Sequence, residues 1–130
     1  MNSILAILMA SAAFLLAACS AEPPQGTCES WEYALFTLSA RSIIQNDVLT
    51  EVHTQSVWHG PKENGIWENG ERLSGSISSS LTDHLGISSV NGPEVLNALG
   101  AKGWEAYGVL SDSGTDGLKT NTWHLKRCSH

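Results

Sequence analysis

The chain has 130 residues, a length typical of a single domain, and its formal net charge is −6 at pH 7. Its 7 basic residues are scattered, with Lys126-Arg127 as the one adjacent pair. Binding to a phosphate backbone needs clustered lysines and arginines, so the composition argues against nucleic acid as a partner.

The first 18 residues have the pattern of an export signal. Residues 3–18 are uncharged and apolar, a run too short for a comfortable membrane span and typical of the hydrophobic region of a signal peptide. The run ends in Leu16-Ala17-Ala18-Cys19, which resembles the bacterial lipobox, although the initial "MNS" lacks Lys and Arg. The resemblance implies a signal peptide at residues 1–18 and lipid, palmitate included, on Cys19. An uncleaved anchor and a secreted protein with a free Cys19 are the alternatives.

The lipobox resemblance also implies a location. Each buried acyl methylene contributes about 0.8 kcal/mol to membrane affinity, so the two or three chains of a bacterial lipoprotein attach it effectively permanently. Ser20 stands where inner-membrane lipoproteins of enteric bacteria carry aspartate. We therefore expect a lipid-anchored protein of the cell envelope, at the outer membrane and facing the periplasm rather than at the inner membrane. Residues 19–27, with Pro23-Pro24 and Gly26, are predicted to form a tether.

Cys28 and Cys128 are the cysteines left for pairing. Cysteines of exported proteins usually pair, and no C-x-x-C motif points to zinc or to redox catalysis. A bridge between them closes a loop of about 100 residues and stabilises the fold by up to about 4.7 kcal/mol. We predict this disulfide within one domain that covers residues 28–130.

Strands are predicted at both ends of this domain. Residues 31–40 are rich in aromatic and β-forming residues and make strand one. Phe36 and Tyr33 lie on opposite faces of this strand, and both faces are expected to be partly covered. Residues 121–128 make the last strand, with Trp123 directed inward.

Residues 41–90 are interpreted as an insertion that carries a long-looped β-hairpin. Residues 48–58 and 71–81 both show the period-two pattern of strands. Between them lie Asn64-Gly65 and Asn69-Gly70, and Asn-Gly pairs are turn formers.

The stretch "LNALGAKGWEAYGVL", residues 96–110, begins as an amphipathic helix and ends as strand two. Gly92-Pro93 fits a helix start, and Gly103 fits the left-handed position just after a helix end. Gly100 inside the helix costs about 1 kcal/mol relative to alanine, which a close approach of the helix to the sheet would offset. Gly108 indicates a similar close approach or a bulge.

Three segments resemble the bacterial domain of unknown function 4177 family. "WEY" opens the first strand, "LNALGAKGWEAYGVL" follows the family's L-N-x-L-G-x-x-G-W-E junction of helix and strand, and "WHLKR" closes the last strand. The match covers residues 31–40 and 93–127, with Ala106-Tyr107 in place of the usual aliphatic pair. The resemblance implies a β-α-β-β core and no activity.

The expected fold class is α+β, a small β-α-β-β sheet with one packed helix and an inserted β-hairpin. Bridged Cα atoms lie within about 7 Å, so the predicted disulfide makes strand one and the last strand antiparallel neighbours. A right-handed crossover then places strand two parallel to strand one, with the last strand between them. The predicted sheet order is one-three-two.

No motif for catalysis or metal binding is recognisable. The 5 histidines do not fall at metal-ligand spacing, and the chain has no G-x-S-x-G motif and no glycine-rich phosphate loop. A Ser/His/Asp arrangement can be assembled from Ser80, His84 and Asp83, but geometry defines a triad. We predict no catalytic residue, no metal and no cofactor. A small hydrolase or a metal-binding protein is the alternative.

Binding is the function favoured by elimination. Among the 5 tryptophans, Trp58 and Trp67 flank or occupy the turn-rich segment, where an exposed aromatic residue is a recognition feature. The alternative is that both cover the hydrophobic face of the hairpin. The other three are expected in the core: Trp31, Trp104 and Trp123. We expect a non-catalytic binding or accessory module whose loop at residues 58–72 contacts an envelope protein. An inhibitor of an envelope hydrolase, which needs a protruding loop, is the alternative.

Overall fold

The computed structural model describes residues 28–129, which form six strands and two helices. In chain order they are β1 (Trp31–Gln45), β2 (Val48–His59), β3 (Asn64–Glu68), β4 (Glu71–Gly75), α1 (Leu81–Leu85), α2 (Gly92–Ala101), β5 (Glu105–Ser113) and β6 (Leu118–Cys128). The strands form one antiparallel sheet in the order β4-β3-β2-β1-β6-β5. The predicted signal peptide, Cys19 and the tether lie outside the described residues.

The core lies between one face of this sheet and the helices. Side chains alternate along β1, so Phe36 is buried at 1% exposure while Tyr33 on the opposite face is 58% exposed. The buried hydrophobic residues form one cluster: Ala34, Phe36, Leu38, Trp58, Trp67, Ile77, Leu81, Val95, Leu99, Trp104 and Leu125. Neither helix of the described chain is long and apolar enough to cross a membrane.

The α+β fold expected from the sequence is wrong. The protein is mostly β, with six strands and helices of only 5 and 10 residues. Residues 41–90 are not an insertion beside the sheet, because they supply the end of β1 and all of β2, β3 and β4. These strands extend the sheet from the edge of β1 that β6 leaves free. The strands taken from the sequence at residues 31–40, 104–110 and 121–128 are neighbours in the order β1-β6-β5, but they make only half of the sheet.

Two tight turns join the added strands. Asn46 and Asp47, with φ of 53° and 62°, connect β1 to β2, and Asn69 and Gly70, with φ of 49° and 84°, connect β3 to β4. Two consecutive left-handed residues are the requirement of a type I′ hairpin, which Asn, Asp and Gly meet most easily. The turn predicted at Asn69-Gly70 is confirmed, and the turn at Asn46-Asp47 was not recognised.

The other Asn-Gly pair, Asn64-Gly65, is not a turn but the start of β3. Gly65 lies against the indole of Trp67, and a Cβ at this position would lie 2.2 Å from the ring atom Cη2. Glycine is required here for space. A sequence pattern does not distinguish this close approach from a turn.

The start of α2 is as the sequence predicts, with Pro93 in the first turn. Asn91 is the N-cap, and its side-chain oxygen accepts the backbone N–H of Glu94 at 2.9 Å. The carboxylate of Glu94 reaches back to accept the backbone N–H groups of Ser88 and Ser89 at 3.1 Å. The bond to Asn91 satisfies a donor that a helix start leaves unpaired, and the Glu94 carboxylate fixes the loop before the helix.

The end of α2 also confirms the prediction for Gly103, which is left-handed at φ 84°. Its N–H donates to the carbonyl of Gly100, and the N–H of Trp104 donates to the carbonyl of Leu99, the two bonds of a Schellman motif. The explanation offered for Gly100 is wrong, because no atom lies within 4 Å of the position its Cβ would take.

The predicted disulfide is present. Cys28 and Cys128 are bridged with their Cα atoms 5.6 Å apart, across a sequence separation of 100 residues. The bridge lies where β1 begins and β6 ends, since Trp31 pairs with Cys128 in the sheet. Beside it the N–H of Ser129 donates to the carbonyl of Ser30 at 3.1 Å. Both ends of the domain are therefore fastened together at one end of the sheet.

Replacing both bridged cysteines, Cys28→Ser with Cys128→Ser, should destabilise the domain by up to about 4.7 kcal/mol, because the unfolded chain regains the freedom of a closed loop of about 100 residues. The measurement is urea unfolding with and without a reductant. Complete reduction should lower the midpoint of the wild type to that of the double variant and leave the variant unchanged. A wild-type urea midpoint that does not change on reduction contradicts this prediction.

The hydrogen bonds to Glu94 predict a specific loss of stability in acid. Bonds from Ser89, its hydroxyl foremost, and from Asn91 and Ser88 lower the pKa of Glu94 from 4.5 to about 2. Because the folded carboxylate binds a proton more weakly than the unfolded one, its contribution is complete above pH 4.5 and disappears as the pH falls towards 2. Melting curves should show Glu94→Gln below the wild type at pH 7 and convergence of the two towards pH 2. A difference in melting temperature between the two proteins that does not change with pH contradicts the low pKa of Glu94.

Candidate functional site

The structure buries both tryptophans that the sequence offered as binding residues. Trp58 is 6% exposed and Trp67 is 0% exposed, and both belong to the core cluster. The loop expected at residues 58–72 is instead the end of β2, all of β3 and the turn into β4. The interpretation of these residues as exposed recognition features is wrong, and the loop loses its role as the contact segment.

Trp67 holds the segment after β4 against the sheet. Its Nε1 donates to the carbonyl of Ser79 at 3.0 Å, and its ring stacks on the imidazole of His84 with the ring centres 6.4 Å apart. The other side of the indole rests on Gly65. The side chain that most resembled an exposed loop residue is therefore the most enclosed tryptophan.

A charged cleft lies at the disulfide end of the helix side. Arg127 donates to Glu32 at 2.7 Å, and its guanidinium carbon lies 4.5 Å from the ring centre of Trp104. Lys62 lies 3.7 Å from the same carboxylate. The hydrogen bond from Arg127 is the main cause that lowers the pKa of Glu32 below its usual 4.5. These three charged side chains are paired with one another and cover the end of the core.

A cavity of about 50 Å³ lies beneath this cleft, among the aromatic core residues. That volume suits a few water molecules, whereas small-molecule pockets measure about 300–1,000 Å³. Within the described residues Trp58 Nε1 has no hydrogen-bond partner. Burial, helped by the positive charge of Lys102, lowers the pKa of His84 below its ordinary 6.5, so this imidazole at the cavity wall is neutral at pH 7.

Ser80, Asp83 and His84 do not form a catalytic triad. The hydroxyl of Ser80 caps α1 by accepting the N–H of Asp83 at 3.2 Å. His84 Nε2 lies 3.6 Å from a carboxylate oxygen of Glu63. Across residues 28–129, no three His, Cys, Asp or Glu side chains converge into a group that would hold a metal ion.

The face of the sheet opposite the helices is uncovered by the described chain, and it carries what we call the aromatic patch. The patch consists of five exposed residues of β1 and β5: Trp31 (43%), Tyr33 (58%), Leu35 (37%), Tyr107 (53%) and Leu110 (65%). The sheet register brings them together across β6, towards the end of the sheet that holds the disulfide. Tyr33 and Leu35 were expected to be partly covered and Trp31 to be core, and these expectations are wrong.

The rings of the patch contact one another and one cation. Tyr107 meets Tyr33 edge to face with the ring centres 6.2 Å apart. Lys126 Nζ lies 4.5 Å from the ring centre of Trp31 and 3.8 Å from a carboxylate oxygen of Glu105. The patch therefore combines amphipathic aromatic side chains with an ion pair, Lys126 and Glu105, at its edge.

A second exposed surface is the end of the β1–β2 hairpin, residues 42–52, which we call the arm. Pairing with β6 stops at Arg41 and pairing with β3 stops at Gln55, so the arm projects beyond its neighbours. Residues 42–45 extend it about 14 Å past the sheet at the rise of a β-strand. Its exposed apolar side chains are Ile44 (65%), Val48 (61%), Leu49 (58%) and Val52 (47%).

The sequence did carry signals for both surfaces. Only residues 92–101 have a long helical pattern, and one such helix covers one face of a sheet, which leaves the Tyr33 side of strand one open. Apolar pairs flank Asn46-Asp47 on both sides, which is a hairpin pattern with an apolar tip. Reading residues 41–90 as a separate insertion concealed both.

Comparison of the chain with family models, with curated proteins and with solved structures finds no match.

Trp67→Ala should destabilise the domain by about 3–5 kcal/mol, because it removes a fully buried indole and leaves a cavity. Trp31→Ala is the matched control, since Trp31 is 43% exposed on the open face and should cost far less. Urea unfolding of the two variants beside the wild type measures the difference. Equal midpoints for the two variants contradict the placement of these tryptophans.

Proposed function

We propose that this chain is a lipid-anchored lipoprotein of a bacterial envelope that works as a non-catalytic binding module. The lipobox-like Leu16-Ala17-Ala18-Cys19 supports the anchor. The disulfide supports export, because oxidising compartments are where such bridges persist. Ser20 favours the outer membrane, facing the periplasm. Membership of the domain of unknown function 4177 family is part of the proposal and adds no activity to it.

The observation that carries the binding role is the arm. The arm pairs with neither β6 nor β3, and its four apolar residues are exposed, so they contribute little to the core. Exposed apolar surface on a soluble domain marks an interaction site more often than a structural need. A partner that covers the arm would remove this surface from water.

The chemistry of the remaining polar groups supports binding over catalysis. The carboxylate of Glu32 is engaged by Arg127, and the hydroxyl of Ser80 is engaged as a helix cap. The cleft that contains Glu32 measures about 390 Å³, but this carboxylate is paired with Arg127 and Lys62, and the enclosed cavity among the aromatic core residues has room only for water molecules. Binding through the arm requires only a complementary apolar groove on the partner.

Inhibition of an envelope hydrolase is a second candidate, and the shape of the arm favours it. A two-stranded ribbon that projects about 14 Å is narrow enough to enter a cleft. Its tip is the two-residue turn Asn46-Asp47, which joins Gln45 to Val48, and the next pair behind it is Ile44 and Leu49. Such a tip presents a polar turn with exposed apolar side chains directly behind it.

The arm predicts the outcome of a co-purification experiment. Full-length protein is tagged at its C-terminus, native envelopes are solubilised in mild detergent, and enriched proteins are identified. Val48→Ser with Leu49→Ser should abolish the enrichment of a partner without changing the melting temperature, because both residues are exposed. Leu73→Ser is the matched control, since Leu73 is 56% exposed on β4, outside both surfaces.

An identical set of enriched proteins for the wild type and the arm variant contradicts the proposal, as does an empty set for the wild type. The second candidate is tested with the same variants in lysozyme and protease inhibition assays. Inhibition by the wild type and by Leu73→Ser, but not by the arm variant, supports the inhibitor role. Equal inhibition by the wild type and both variants shows that the arm is not the inhibitory segment.

A further inference from the structure

We propose that the aromatic patch docks the domain onto the headgroup region of the bilayer that holds its lipid anchor. This inference rests on the anchor of the proposed function and adds a second membrane contact to it. The contact is made by the open face of the sheet at Trp31, Tyr33 and Tyr107, with Leu35 and Leu110 beside them.

The chemistry of the patch fits a membrane interface. Trp and Tyr are the residues enriched at the boundary between lipid and water, because each has an apolar ring and a polar atom that stays hydrated. Three of the five patch residues are of these types, and their exposed fractions are between 43% and 58%. Lys126, held over Trp31, lies 3.8 Å from a carboxylate oxygen of Glu105, so the pair leaves the patch without a net charge that would oppose contact with anionic lipid.

The place of the patch in the chain fits the same partner. Trp31 comes shortly after Cys28, and residues 20–27 between Cys19 and Cys28 span at most about 30 Å even when fully extended. The disulfide fixes this end of β1 to the end of β6, so the patch cannot move away from the point where the chain enters the domain. A lipid on Cys19 therefore confines the patch to the neighbourhood of the bilayer.

The size of the patch favours a tethered contact over a protein dimer. With about 200 Å² for a fully accessible aromatic side chain, the five exposed fractions correspond to roughly 500 Å². A standard protein interface buries about 800 Å² on each partner, so the patch alone is too small for a stable pair of copies. A membrane contact that is already intramolecular needs no such area, since the tether supplies a high effective concentration.

The test uses the full-length protein, purified from envelopes and reconstituted into vesicles of phosphatidylethanolamine and phosphatidylglycerol. Part of the lipid carries bromine on the acyl chains near the glycerol, where it quenches tryptophan fluorescence at short range. Trp31 is the tryptophan of the open face, whereas Trp58, Trp67 and Trp104 are buried in the core. Brominated lipid should quench the wild type, and Trp31→Phe should lose most of that quenching.

A second variant tests docking with the reporter still in place. Tyr33→Ser with Tyr107→Ser keeps Trp31 but removes two interfacial rings, so quenching should fall several-fold and the emission should shift to longer wavelength. The arm variant Val48→Ser with Leu49→Ser is the control and should be quenched like the wild type. Melting temperatures measured on all proteins show that each is folded.

Equal quenching of the wild type and Trp31→Phe overturns the proposal. The proposal is also overturned if Trp31 is shielded from solvent in detergent without vesicles and this shielding grows with protein concentration, since a second copy then covers the patch. The mass of the N-terminal peptide reports lipid on Cys19 separately. Quenching of Trp31 without that lipid retains the docking and contradicts the anchor, whereas a lipidated chain without quenching contradicts the docking alone.

Discussion

β1 is the strand on which the other features of the domain depend, because both its edges and both its faces are used. Hydrogen bonds to β2 and β6 occupy its two edges. Its Phe36 face forms the floor of the core, and its Tyr33 face forms part of the aromatic patch. Its last residues run past the neighbouring strands as the arm, and its first residues lie beside the disulfide. The positions of core, patch, arm and bridge are therefore fixed relative to one another by one strand of 15 residues.

The open face follows from the small amount of helix. The helices have 5 and 10 residues and pack on one side of a sheet that is about 24 Å wide at the usual strand spacing. A core with one covered face buries less apolar surface than a sandwich of two sheets. Large side chains compensate, with Trp58 and Trp104 packed edge to face at 5.3 Å and the indole of Trp67 enclosed beside them. The disulfide adds a constraint that a small domain with a limited core often needs.

Local chemistry made part of this fold predictable. Pro93 and Gly103 mark the ends of α2, Asn69-Gly70 marks a turn, and two cysteines behind a segment with the pattern of a signal peptide mark the bridge. The failures have one physical origin, which is that partners distant in sequence decide burial. Gly65 looks like a turn residue until the indole packed on it is known. The alternation in residues 71–81 predicts one strand, but β4 ends at Gly75 and α1 begins at Leu81. Exposure of Trp31 depends on which face of the sheet the helices cover, and no pattern within β1 indicates which face that is.

The charge distribution separates the two exposed surfaces. A protein with a formal net charge of −6 is repelled by anionic lipid as a whole, so contact with a bilayer has to occur where the local charge opposes it least. In the patch Lys126 is balanced by Glu105, whereas the arm carries Asp47 and Glu51, both exposed, and no lysine or arginine. Leu35 of the patch and Ser42, the first residue of the arm, lie seven residues or about 23 Å apart along β1, nearly three Debye lengths at physiological salt. A bilayer therefore repels the acidic arm more than the patch, and a domain docked by its patch keeps the arm available for a protein partner.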